Sequence, residues 1–184
     1  MLSTATTPAP TISGDVSVCV GETIQYMASA ADDYIWTVSN HGSIVGPNDA
    51  QNVMIKWNTA GTMATVNVAI TATNGCTNSS PSTVAVFTNP SVNISVVDNS
   101  GQQGDNSLCS GDMIQLTANA SGGPMPYSYV WTPGNSGVNP LPISSGGTYS
   151  VKVTDNNLCS ANSPSVTISE TPTPPLPGVV TPVI

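Results

Sequence analysis

The strongest constraint in this chain is a block that occurs twice: a cysteine, a tryptophan within an alternating run, and a second cysteine. Cys19, Trp36 and Cys76 form the first copy; Cys109, Trp131 and Cys159 form the second. The flanking residues align too. Val18-Cys19-Val20-Gly21-Glu22-Thr23-Ile24-Gln25 matches Leu108-Cys109-Ser110-Gly111-Asp112-Met113-Ile114-Gln115, and Tyr34-Ile35-Trp36-Thr37 matches Tyr129-Val130-Trp131-Thr132. Asn74-Gly75-Cys76 with Ser80-Pro81-Ser82 matches Asn157-Leu158-Cys159 with Ser163-Pro164-Ser165. Three blocks in one order indicate a duplicated unit. Four cysteines allow three pairings. A unit that closes its own bridge selects Cys19–Cys76 and Cys109–Cys159, each bridge pinning two sheets over a core tryptophan, Trp36 or Trp131. Loops of that length would contribute about 4 kcal/mol per bridge in the chain-entropy model. The alternative is four buried thiols, as in a reducing compartment.

Between these landmarks the apolar residues alternate. Ile24, Tyr26 and Ala28 share one face, as do Tyr34, Trp36 and Val38, and Val53, Ile55 and Trp57. The longest run, Ala64 to Thr73, puts Val66, Val68, Ile70 and Ala72 on one side. Period-two alternation in short runs, punctuated by turn residues, predicts strands, and nothing in the chain has helical period. The expected fold is all-β, with two tandem β-sandwich domains, each with an intradomain disulfide. The expected boundaries are an N-terminal linker over 1–9, domain 1 over 10–88, domain 2 over 89–170, and a proline-rich linker or docking strand over 171–184. Domain 2 lacks a counterpart of the Val53-to-Trp57 run, so its sheet should be one strand smaller.

The chain has 184 residues, two lysines, no arginine and a net charge of −8. Nucleic acid and anionic membrane both require a cationic face, so neither is expected as a partner. The first residues have no basic or apolar signal pattern, and no apolar run is long enough to cross a bilayer. Disulfides in such a chain suggest a segment of a larger exported protein.

Domain 2 contains Gly123-Pro124-Met125-Pro126-Tyr127-Ser128-Tyr129-Val130-Trp131, then Gly147-Thr148-Tyr149-Ser150-Val151-Lys152-Val153-Thr154-Asp155, then Cys159. This pattern resembles the repeats of large Bacteroidetes cell-surface adhesins, including gliding-motility adhesins. Domain 1, with Cys19-Val20-Gly21-Glu22, Tyr34-Ile35-Trp36, Val53-Met54-Ile55-Lys56-Trp57 and Asn74-Gly75-Cys76, is similar to PKD-like domains. The resemblance implies immunoglobulin-like (PKD-like) sandwiches at the cell surface. Such modules act as stalks, spacers and adhesive units, and also occur in secreted polysaccharide-degrading enzymes.

Residues that carry chemistry are few. His41 is the only histidine and sits in an Asn-His-Gly loop, with no nucleophile pattern near it. No catalytic residues and no enzymatic activity are expected. No cofactor is expected beyond calcium, for which Asp98, Asp105 and Asp112 offer oxygen ligands without EF-hand spacing. Trp57 has no counterpart in domain 2, which makes it the candidate carbohydrate platform, although it shares its face with Val53 and Ile55. Val179, Val180, Val183 and Ile184 form a candidate docking strand that would extend an exposed sheet edge in its own chain or a neighbour's. Docking on a neighbour would propagate head-to-tail. The expected function is that of non-catalytic structural or adhesive modules of an extracellular adhesin or fibre, partnered by neighbouring copies or domains and not inserted in a membrane. The alternative is a carbohydrate-binding or spacer region of a secreted polysaccharide-degrading enzyme.

Overall fold

The computed structural model describes residues 9–98, 104–109 and 111–171, and every regular element among them is a strand. The chain divides into two compact units between Asn89 and Pro90.

The first unit holds β1 (Ile12–Ser13), β2 (Ser17–Cys19), β3 (Thr23–Ala28), β4 (Asp33–Val38), β5 (Gly42–Val45), β6 (Asn52–Trp57), β7 (Gly61–Thr71) and β8 (Thr77–Phe87). They form two four-stranded sheets, ordered β1-β3-β6-β5 and β2-β8-β7-β4. The alternation seen in the sequence is the reason. Tyr26, Ala28, Trp36, Val53, Ile55, Trp57, Val66, Val68 and Ile70 are all buried in one core, and the residues between them turn toward the outer faces. Each fully buried branched aliphatic contributes about 1.5–3 kcal/mol relative to exposure, which fixes the register of every strand that carries one.

The second unit holds β9 (Ser91–Asp98), β10 (Ser107–Cys109), β11 (Ile114–Ser121), β12 (Ser128–Thr132), β13 (Leu141–Ile143), β14 (Gly147–Thr154), β15 (Ser160–Asn162) and β16 (Val166–Thr171). One sheet is ordered β13-β11-β9; the other is β10-β16-β14-β12, with β15 also on β14. Its core gathers Leu108, Ile114, Leu116, Trp131, Tyr149, Val151, Val153 and Ile168. Among the described residues the sheet β13-β11-β9 is one strand smaller than β1-β3-β6-β5, as expected, but the strand without a counterpart is β5, and the counterpart of β6 is present in short form. β13 pairs with β11, Ile114 opposite Ile143, as β6 pairs with β3 in the first unit. Pro140 and Pro142 flank Leu141 and break the alternation, so sequence pattern could not show it.

The duplication extends to the main-chain devices. Trp36 lies on β4 beside β7, and Trp131 lies on β12 beside β14. Each indole N–H donates to a loop carbonyl further along the chain, to Ala50 O at 2.8 Å before β6 and to Val138 O at 2.9 Å before β13. The first cysteine of each copy sits on a strand that runs parallel to the last: Cys19 opposite Phe87, Cys109 opposite Thr171. The second cysteine follows β7 or β14 in a tight hairpin, with Gly75 N donating to Ala72 O and Leu158 N to Asp155 O.

These registers overturn the intradomain pairings. Cys19 lies beside the C-terminal end of β8, whereas Cys76 immediately precedes its first residue, Thr77. The length of β8 separates the two, about 33 Å at ~3.3 Å per residue. In the second unit Cys109 faces Thr171, beyond the Gly147 end of β14, and Cys159 lies beyond Thr154 at its other end. Disulfide Cα atoms must approach within about 7 Å, so neither Cys19–Cys76 nor Cys109–Cys159 can form. Cys19 and Cys159 each take part in a disulfide, Cys159 fully buried, while Cys109 carries a free, exposed thiol.

The same registers give each unit two poles. In the first, the chain enters where Ile12 pairs with Ala28 and leaves past Phe87, at the pole where Val20 N donates to Phe87 O and β3 begins. In the second it enters where Ser91 faces Ser121 and leaves at Thr171, on the side where Ile114 faces Asp98. Each sandwich therefore passes the chain from one pole to the other.

Candidate functional site

The repeated Cys-x-Gly-acid motif is a turn. Gly21 and Gly111 take φ of 95° and 98°, a region that side chains avoid. Glu22 closes the first copy: its Oε2 accepts from Cys19 N at 2.8 Å, and its own N–H donates to Cys19 O at 3.2 Å. In the second copy Asp112 N donates to Cys109 O at 3.0 Å. The acid position of this motif serves the backbone turn.

Trp57 is 0% exposed. Its ring meets Tyr26 edge-on, with centroids 6.3 Å apart and planes at 81°. The carbohydrate-platform reading is corrected: a sugar cannot stack on a ring sealed in the core, and the face shared with Val53 and Ile55 determined its side of the sheet. Tyr26 is itself buried, and its hydroxyl donates to Asp15 O at 2.7 Å. Burial raises the phenol pKa; the Trp57 indole beside it opposes that, and the Asp15 charge adds to it.

The three aspartates named for calcium occupy separate places in the second unit. Asp98 is buried at the end of β9 opposite Ile114, Asp105 Oδ1 accepts from Ser107 N at 2.8 Å, and Asp112 belongs to the turn after Cys109. No group of three His, Cys, Asp or Glu that could hold a metal occurs among the described residues. His41 packs its ring on Gly61, where any Cβ would strike it, and its carbonyl accepts from Asn58 N and Thr59 N. It secures the bend into β7. Val179, Val180, Val183 and Ile184 lie outside the described residues.

Asp155 has a role that the motif alone did not reveal. It is 3% exposed, and its Oδ1 accepts from Asn157 N and Cys159 N, both at 2.9 Å. Oδ2 is buried with no hydrogen-bond partner, pressed against Gly123. Gly123, at φ 67°, leaves no room there for a side chain. Asn156 N donates to Pro124 O at 3.0 Å, and Tyr127 OH donates to Gly122 O at 2.7 Å. The Gly122-Gly123-Pro124 loop that precedes β12 is thus fastened to the hairpin that holds Cys159.

At the exit pole of the second unit the β12–β13 loop and β13 enclose a shallow cleft of about 310 Å³, with Tyr149 in its wall. Its residues come from Pro133 to Ser136 and Leu141 to Ser145, segments without periodicity, so sequence reasoning could not find it.

The fold and these turns define the class of architecture: two all-β units, each of paired sheets. Residues 5–86 match the family model of the PKD-like domain. No curated protein matches the chain. Among solved structures, the C-terminal 282-residue fragment of intimin in complex with the translocated intimin receptor aligns at 14% identity. That alignment has a TM-score of 0.49 and covers 86% of this chain and 63% of that fragment. This chain therefore spans less than two thirds of that relative. Murine CEACAM1b aligns at 11% identity and TM-score 0.36, covering 88% of this chain and 100% of that one. The N-terminal Ig1-2 module of the Drosophila receptor protein tyrosine phosphatase DLAR aligns at 11% and 0.31, covering 89% and 100%. Among the described residues no helix is long and apolar enough to cross a membrane.

Proposed function

We propose that this chain is a pair of non-catalytic modules from an extracellular or cell-surface protein, serving as stalk, spacer or adhesive unit. One observation carries this reading: each sandwich takes the chain in at one pole and releases it at the other. A module whose two ends lie at opposite poles bridges the distance between them, which is what a stalk or spacer requires. The PKD-like match over residues 5–86 supports the same reading. So does a net charge of −8 with only two lysines, which leaves nucleic acid unattractive as a partner. Neighbouring modules of the same surface protein are the partners that such an array implies.

The test is antibody labelling of intact source cells, before and after brief surface proteolysis. Labelling of unpermeabilised cells that disappears on proteolysis is expected. Labelling that requires lysis would overturn the proposal.

A further inference from the structure

The longest open edge in the second unit belongs to β9. Asn139 settles which way the backbone of that sheet points. Its Nδ2 donates to Ala118 O at 3.0 Å and its Oδ1 accepts from Ala118 N at 2.8 Å, so both main-chain groups of Ala118 face β13. In an antiparallel ladder the two groups of one residue share a side, and successive residues alternate. Thr117 and Asn119 therefore bond β9 through their register partners, Ser95 and Asn93. Val92, Ile94 and Val96 turn their N–H and C=O groups away from β11. Among the described residues none of these three has a main-chain hydrogen bond on that side.

The other edges among the described residues are stopped. β1 has two residues, and β2, β10 and β15 have three each. β5 has four, and its first amide, Gly42 N, already donates to Ser39 O at 3.1 Å. β4 and β12 are covered by loops: Trp36 N donates to Asn48 O at 2.8 Å, and Trp131 N to Ser136 O at 2.9 Å. β13 turns Pro142 outward, which has no N–H to give. β9 presents eight residues without proline or lysine, and its one charge, Asp98, stands at its end. An edge of that kind invites another strand.

The side chains say which strand fits. Ile94 and Val96 point toward the core yet stay half-buried, so an added strand must be apolar on its inner face. Ser91, Asn93 and Ser95 are exposed on the other face, so its outer face must be polar. β9 itself has that alternation. Turned antiparallel about Ile94, it sets Val92 opposite the partner's Val96, and Asn93 opposite the partner's Ser95. The sheet already makes the latter kind of pair, since Asn119 Nδ2 donates to Ser95 Oγ at 3.0 Å. Asp98 falls opposite the partner's Pro90, so no like charges meet.

We propose that β9 pairs with β9 of a second copy, antiparallel about a two-fold axis at Ile94, so that two β13-β11-β9 sheets become one. The axis stands perpendicular to the sheet and keeps both cores on the same side. The contact is self-complementary and closes as a dimer. It is a lateral contact of one unit and is independent of where the protein resides.

The test is sedimentation equilibrium of the full chain from micromolar to millimolar concentration, with Cys109 alkylated so that no bridge between thiols contributes. The parent is compared with an Asn93→Lys/Ser95→Lys variant and an Asn93→Asp/Ser95→Asp variant. Both positions face outward, so Trp131 fluorescence should report the same fold in all three. The parent should dimerise as its concentration rises. Each variant sets like charges opposite one another only in the dimer, and should dimerise roughly tenfold more weakly. An equimolar mixture of the two variants should recover the parent's association. The Ile94 and Val96 amides should gain protection from hydrogen exchange as the dimer forms. A parent that stays monomeric at millimolar concentration would overturn the proposal. So would variants that associate like the parent, a mixture that stays as weak as its components, or Ile94 and Val96 amides whose exchange ignores concentration.

Discussion

Replacing Leu158 by glycine should stabilise the second unit, although it deletes a large apolar side chain. Leu158 sits at the tip of the β14–β15 hairpin with φ of 68°, and 82% of its surface is exposed. A side chain in the left-handed region costs about 1–2 kcal/mol. Glycine returns roughly 0.5–1 kcal/mol of that through the greater freedom of its unfolded chain, and almost no burial is lost. The net gain is about 0.5–1 kcal/mol, or about 2–8 °C for a domain of this size. The first unit supplies the reciprocal control. Its equivalent residue is Gly75, at φ 77°, with open space for 4 Å around the position a Cβ would take. Gly75→Leu should therefore lower the stability of the first unit by a similar amount through backbone strain alone. Calorimetry resolves the two units, and Trp131 fluorescence reports on the second, since Trp36 and Trp57 both belong to the first. A lower melting temperature for Leu158→Gly would refute the reasoning, because it would mean that the exposed leucine makes a contact worth more than its strain.

Asp155→Ala should cost the second unit about 3 kcal/mol, because Asn157 N and Cys159 N lose their shared acceptor; urea unfolding measures this, and Asp155→Asn should cost less. Gly123→Ala should cost more than about 2 kcal/mol, since it adds strain at φ 67° and forces a methyl onto the Asp155 carboxylate; the same assay applies. Alkylation followed by mass spectrometry should label Cys109 in the native oxidised protein, and Cys19 and Cys159 only after reduction. The Tyr26 phenol titrates above its ordinary value of 10.0. The folded state thus holds this proton more tightly than the unfolded state, and its contribution to stability is full below pH 10 and lost as pH rises through the folded pKa. The melting temperature of the first unit should fall above pH 10, less so in Tyr26→Phe.

Most of the fold could be read because its information is local. Alternation in Val66-to-Ile70 and Tyr149-to-Val153 states which side is inward, and a repeated Gly21 or Gly111 states where the chain must turn. Trp57 shows the strength of that signal: its neighbours Val53 and Ile55 already placed it inside, and the absence of a partner in the second copy was the weaker clue. The cysteines show where local information ends. The order of Cys19 and Cys76 along the chain does not reveal the poles they occupy, because those depend on β2 lying parallel to the far end of β8. Asp155 was visible in a motif, yet its work on Cys159 N and beneath Gly123 exists only after a hairpin and the loop before β12 meet. The cleft arises from turns that carry no period at all.

The parallel pairing of the terminal strands has a mechanical consequence. In the first unit β2 and β8 run side by side in one direction, Ser17 opposite Ala85 and Cys19 opposite Phe87; in the second, β10 and β16 do the same, with Thr171 Oγ1 also donating to Leu108 O at 3.1 Å. Tension between the two ends of a unit drags the first strand of each pair toward one pole and the last toward the other. The bonds between them are then loaded in shear and must yield together. An antiparallel hairpin pulled open from its ends would surrender its bonds one at a time. Each unit thus resists stretching through a short clasp whose strength comes from the direction of its strands more than from their length.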